Sequence, residues 1–135
     1  MKTQDQNPSG RTDCSTFRHM QEVEQTHRGF DVIHFDDGNG ERCSVQCSSA
    51  IDDTEQGLNQ PGSSFLWIGP DDANPKIMAS KAAMHGVKTT ATTGWVPYPV
   101  PDEVLMNTRM HLHREHVQEL VQVLNRWLES GTLDT

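Results

Sequence analysis

The chain has no long apolar run. Its longest, around Phe65 to Gly69, falls far short of the roughly 18 residues needed to cross a bilayer. The amino terminus, Met1 to Gly10, lacks the basic-then-apolar order of a secretory signal, so a cytoplasmic protein is expected. Cysteine is scarce and odd in number: Cys14, Cys43 and Cys47 are the only three. Without an export signal they are expected to be reduced thiols rather than a disulfide framework. Cys43 and Cys47, four apart on a strand, would lie roughly 13 Å apart, too far to bridge. Large apolar residues are also sparse. Only 33% of the 135 residues are hydrophobic, and the mean hydropathy is −0.68, which excludes two large cores and leaves one modest domain. Yet 22% charged residues with ten glycines and seven prolines is not a disordered composition.

Positive charge is scarce as well. The net charge of −8 disfavours polymeric nucleic acid and anionic membranes as partners. Its distribution is uneven. Residues 30–75 carry nine acids against Arg42 alone, whereas residues 76–100 hold Lys76, Lys81 and Lys88 with no acid at all. That basic stretch also carries Thr89, Thr90, Thr92 and Thr93, a composition suited to a small anionic ligand or to an ordinary surface loop.

Residues 1–28 read as a polar, loosely held extension with a short helix around Thr16 to Gln25, and residues 29–135 as a single α+β ligand-binding domain. Phe30 to Phe35 reads as a strand, and Asp36-Asp37-Gly38-Asn39-Gly40 supplies the residues that tolerate the positive φ of a hairpin turn. The return strand, Arg42 to Ser48, puts Cys43, Val45 and Cys47 on one face and Arg42, Ser44, Gln46 and Ser48 on the other. Ile51 to Ser64 reads as an exposed loop, Phe65 to Gly69 as a third strand, and Ile77 to His85 as a short helix closed by Gly86. Gly94 to Pro101 must be extended because each proline biases its predecessor out of the helical region. Val104 to Leu112 reads as a further strand. From Arg114, Val117, Leu120, Val121, Leu124, Trp127 and Leu128 recur at three and four, one face of a helix that Gly131 stops. That face must pack on the sheet or on a partner subunit, so a small antiparallel sheet followed by a carboxy-terminal helix, in a homo-oligomer, is expected. The chain has no internal repeat and no coiled-coil heptad array.

Catalytic signatures are missing. The chain holds no G-x-S-x-G elbow, Walker loop, G-x-G-x-x-G or H-E-x-x-H, and its paired aspartates sit on turns where carboxylates are normally solvated. His111, His113 and His116 invite a zinc reading, with a metal-dependent enzyme as the alternative function, but Arg114 inside the cluster opposes a dication. An acidic protein–protein inhibitor is a further alternative. Arg109 and Arg114 bracket the strand-to-helix junction, where guanidinium groups and a helix amino terminus favour an anion. Trp67, Trp95 and Tyr98 are candidate aromatic partners.

Several runs resemble a known family. They are Gly40-Glu41-Arg42-Cys43-Ser44-Val45-Gln46, Leu66-Trp67-Ile68-Gly69 with Asp72-Ala73-Asn74-Pro75-Lys76, Gly94-Trp95-Val96-Pro97-Tyr98-Pro99, and Thr108-Arg109-Met110-His111-Leu112. Together they make the region from Gly29 to Gly131 similar to the phage-encoded Thoeris anti-defence sponges, which sequester cyclic ADP-ribose isomers made by bacterial TIR proteins. The resemblance implies an antiparallel sheet followed by helices, assembly as dimers or higher oligomers, and nucleotide capture without turnover, so no enzyme and no cofactor. It implies adenine stacked against Arg109, with Arg114 as a further basic contact. It also implies an apolar stacking partner near Ala82 to Met84, with Met84 able to cover a purine face, and a polar contact near Thr92 or Thr93. The chain departs from the pattern in having neither an aromatic near Met84 nor an asparagine near Thr92. Some members of that family also hold cyclic oligonucleotides at a second site between subunits, for which no residues of this chain stand out.

Overall fold

The computed structural model describes residues 19–52 and 60–134. They form an α+β fold, as expected. By contacts the chain divides into a sheet unit, which runs to Asp71 and resumes at Arg109, and a smaller unit, Asp72–Thr108. Among the described residues no helix is long and apolar enough to cross a membrane.

The sheet unit is built from β1 (Glu24–Gln25), β2 (Asp31–Asp36), β3 (Arg42–Cys47), β4 (Phe65–Pro70) and β7 (Met110–His113), antiparallel in the order β1-β2-β3-β4-β7. The β2–β3 hairpin forms where its turn residues place it. Asp37 Oδ1 accepts from the N–H groups of Asn39 and Glu41 at 2.8 and 2.9 Å. Gly40 takes φ +83°, a conformation that a side chain would strain.

Register fixes the faces. Gln46 lies opposite Trp67, and Trp67 opposite His111; one step along, Ser44 lies opposite Gly69. Because side chains alternate, Ser44, Gln46, Ser48, Phe65, Trp67, His111 and His113 share one face. Val45, Ile68 and Met110 share the other. Cys43 and Cys47 are free thiols. Their pKa values are raised, first by burial and then by neighbouring aspartates, as befits small core residues rather than nucleophiles.

Two elements differ from expectation, and part of a third lies outside the described residues. No helix forms over the described part of Thr16 to Gln25: Glu24 pairs with Val32 and Gln25 with Asp31, so the sheet reaches back past Gly29. The strand expected from Val104 starts only at Met110, because pairing with β4 runs from Ile68↔Met110 to Phe65↔His113. Between them, Val104, Leu105 and Met106 are exposed. The loop from Ile51 to Ser64 is described only in part; at its end Ser64 is fully buried.

The smaller unit holds β5 (Lys76–Met78), α1 (Ala79–Ala82), a 3-10 turn (Ala83–His85) and β6 (Trp95–Pro97), with β5 antiparallel to β6. The helix expected from Ile77 to His85 is helical from Ala79 to His85, with only Ile77 and Met78 taken into β5. Gly86 ends it at φ +77°, and the core is Ala79, Ala82 and Val96, flanked by Ile77 and Val87. Alanines let the helical turn sit close on the strand pair.

The final element, α2 (Arg114–Ser130), starts and stops where its residues dictate. His113 is the N-cap: its ring accepts from the Glu115 N–H, while the His116 ring accepts from the His113 N–H, a reciprocal capping box made of imidazoles. Gly131 closes the other end, its N–H bonded to the Trp127 carbonyl at 2.7 Å. Among the described residues its apolar stripe is covered only in part, with Val117 and Leu120 half-buried. None of its residues is buried, and Trp127 and Leu128 are 52% and 72% exposed. A large side chain contributes about 1.5–3 kcal/mol on full burial, so Trp127 and Leu128 draw little of it from the described residues.

Candidate anion and aromatic site on the sheet

Arg109 immediately precedes β7, and the sheet register sends it back across the polar face. Its Nη1 donates to Gln46 Oε1 at 2.9 Å and to Ser44 Oγ at 3.3 Å. The guanidinium carbon stands 5.5 Å from the Trp67 ring centroid, within cation–π range. The expected arginine is therefore held in place by three residues of β3 and β4, each far from it in sequence.

Trp67 belongs to a stack. His111 lies against it at 4.0 Å between centroids and 28° between planes. On its other side His111 lies against Phe65 at 4.7 Å and 15°. The imidazole Nε2 reaches Ser48 Oγ at 2.9 Å. A cavity of about 240 Å³ opens beside this stack, with Trp67, Gln46, Phe30, Ser49, His27 and Arg28 in its walls. Arg28 rests 5.5 Å from the Phe30 centroid. Two guanidinium groups, an indole and an amide thus share one region of the sheet.

The histidines do different work. His111 is sandwiched in the stack, His113 pairs with Asp52 and caps α2, and His116 completes the cap. The His113 ring accepts at Nδ1, so a neutral ring carries its proton on Nε2, the atom that faces Asp52. Among the described residues no three His, Cys, Asp or Glu side chains gather as metal ligands. Incubation with chelator, followed by a nucleotide titration, is expected to give the same affinity as untreated protein. Loss of binding on chelation would revive the zinc reading.

The other expected residues lie elsewhere. Arg114 is at the start of α2, where it donates to the Ser63 carbonyl at 2.9 Å. It lines a separate cavity of about 210 Å³ with Phe65, Leu66, Leu112 and Val117. Met84, Thr92, Thr93 and Trp95 belong to the smaller unit. All four are exposed there, with Trp95 opposite Met78 across the β5–β6 pair. The sequence alone does not assign Ser44, Gln46, Phe65 and Arg28 to a ligand, and it offers His111 only to a metal. The polar face of the hairpin was the available signal, since Ser44 and Gln46 already alternated away from the cysteines. Comparison of the chain with known protein families, curated proteins and solved structures finds no match in any of the three.

Proposed function

We propose that this protein is an anti-defence sponge of the phage type. It binds a cyclic ADP-ribose-like nucleotide and holds it without cleaving it, and so blocks TIR-dependent immunity. The observation that carries this reading is the fixed position of Arg109 over Trp67. Both hydrogen bonds that anchor Arg109 use Nη1, which leaves Nε and Nη2 for phosphate oxygens. The guanidinium plane and the neighbouring indole offer flat surfaces to a purine, and the half-buried Gln46 amide supplies a neutral polar contact.

The same residues argue for capture rather than turnover. Cleaving a glycosidic or pyrophosphate bond needs a positioned acid or base, or an activated water. Arginine stays protonated near neutral pH, and His111, the imidazole nearest Trp67, is occupied by Ser48 and two aromatic rings. The second basic region, with Lys76, Lys81 and Lys88, contains no carboxylate. The host cytoplasm is the compartment in which such a signal is made, and a homo-oligomer is the form in which such a sponge works. Calorimetric titration of the full chain with cyclic ADP-ribose isomers tests the proposal. Saturable binding of at least one isomer is expected, and no heat from any isomer would reject it.

A further inference from the structure

Building on the nucleotide site proposed for this sheet, we infer that the cavity beside Trp67 is a second phosphate subsite with Arg28 as its cation. The sheet then selects nucleotides with two linked phosphates over those with one. Arg28 sits on the turn between β1 and β2. The Thr26 N–H donates to the Phe30 carbonyl at 2.7 Å, the Gly29 N–H to the Thr26 carbonyl at 2.8 Å, and the Phe30 N–H to Thr26 Oγ1 at 3.0 Å. Gly29 takes φ +87°, which a side chain would strain. The turn is therefore set before any ligand arrives, and the Phe30 ring, 5.5 Å from the guanidinium carbon, supports one face of Arg28.

Donors line the cavity. Gln46 belongs to both halves of the site, since it stands in the cavity wall and its Oε1 accepts from Arg109. Arginine can only donate, so that bond identifies the amide oxygen and leaves the nitrogen, with two N–H groups, for another acceptor. Arg28 adds its guanidinium, and Thr26 and Ser49 add hydroxyls. Thr26 Oγ1 already accepts from the Phe30 N–H, which leaves its hydrogen to donate. Among the described residues no carboxylate lines the cavity. Asp31, the acid nearest Arg28 in sequence, is bonded to the Gln25 amide. A cavity with a supported cation, several donors and no fixed negative charge, in a chain of net charge −8, suits an anion.

Two subsites that share an amide and an indole ask for two phosphates on one ligand. Arg109 keeps Nε and Nη2 for the first, because both of its anchoring bonds use Nη1. Arg28 takes the second. Trp67 stands under Arg109 and also in the cavity wall, so the two guanidinium groups flank one ring. A ligand with a single phosphate engages one of them and leaves the other in water. The second phosphate adds a charge-assisted contact without a second loss of translational freedom, and the preset turn reduces the ordering it requires.

Calorimetric titration of the full chain with ADP and with AMP tests the inference. Wild type is expected to bind ADP at least about tenfold more tightly than AMP, the scale of one hydrogen bond to a charged group. Arg28→Ala is expected to bring ADP down to the AMP level and to leave AMP unchanged. Arg28→Lys, which keeps the charge but not the planar fork, is expected to fall between. Arg28 is exposed, so a thermal melt of either variant should match wild type. Equal affinity of the wild-type protein for the two nucleotides overturns the inference. So does an Arg28→Ala variant that keeps the preference for ADP or weakens both nucleotides alike. A chain that binds a cyclic ADP-ribose isomer but neither linear nucleotide overturns the second subsite and leaves the nucleotide site standing. A chain that binds no nucleotide, cyclic or linear, overturns both.

Discussion

Arg109→Ala is expected to abolish detectable binding of a cyclic ADP-ribose-type nucleotide while the protein stays folded. The guanidinium makes charge-assisted bonds, and hydrogen bonds to charged groups contribute roughly 1.5–3 kcal/mol each. Two such bonds to phosphate, with stacking added, put the loss at about a thousandfold or more on the scale of about 1.4 kcal/mol per decade. The fold loses less. Arg109 is only part-buried, and its partners Ser44 and Gln46 are neutral, so truncation leaves no buried charge unpaired. Arg109→Lys separates charge from shape: it keeps the cation but cannot present a planar fork, and it is expected to recover only a small part of the affinity. Calorimetry beside a thermal melt decides the matter. Unchanged affinity in folded Arg109→Ala would remove this residue from the site.

Trp67→Ala should damage both binding and stability. Its indole supports Arg109 on one side and stacks on His111 on the other. Aromatic pairs contribute about 0.5–1.5 kcal/mol beyond their area, and an exposed cation–π contact about 0.5–1 kcal/mol. With the lost apolar area added, destabilisation of roughly 3 kcal/mol is expected. Trp67→Phe keeps a ring against His111 and should recover most of the stability. If the indole is also a surface for the ligand, Trp67→Phe will still bind more weakly than wild type. A melt unchanged by Trp67→Ala would contradict the stack.

How far the sequence specified this site depends on the range of each interaction. The hairpin was legible because its signals are local: Asp37 and Gly40 set the turn, and alternation set the faces of β3. The helix from Arg114 to Gly131 was legible for the same reason, its stripe and its glycine stop being read within five turns. Arg109 was singled out from its place before the helix and from a family resemblance. Its partners were not assigned, because Ser44 and Gln46 precede it by 65 and 63 residues, and only strand register brings them together. The histidines misled for a related reason. Their spacing suggested one site, but Phe65, Trp67 and Asp52, all distant in sequence, divide them among a stack, an acid pair and a cap. Local pattern also overextended β7, since Val104, Leu105 and Met106 are apolar enough for a strand but pair with none among the described residues.

The central claim is capture without chemistry. It is tested most directly by loading the full chain with a cyclic ADP-ribose isomer, removing the unbound ligand, denaturing the complex by heat and identifying what is released by mass spectrometry. The intact cyclic nucleotide is expected, in an amount fixed by the number of sites and unchanged by longer incubation. ADP-ribose or another opened product, accumulating beyond one equivalent per site, would contradict it.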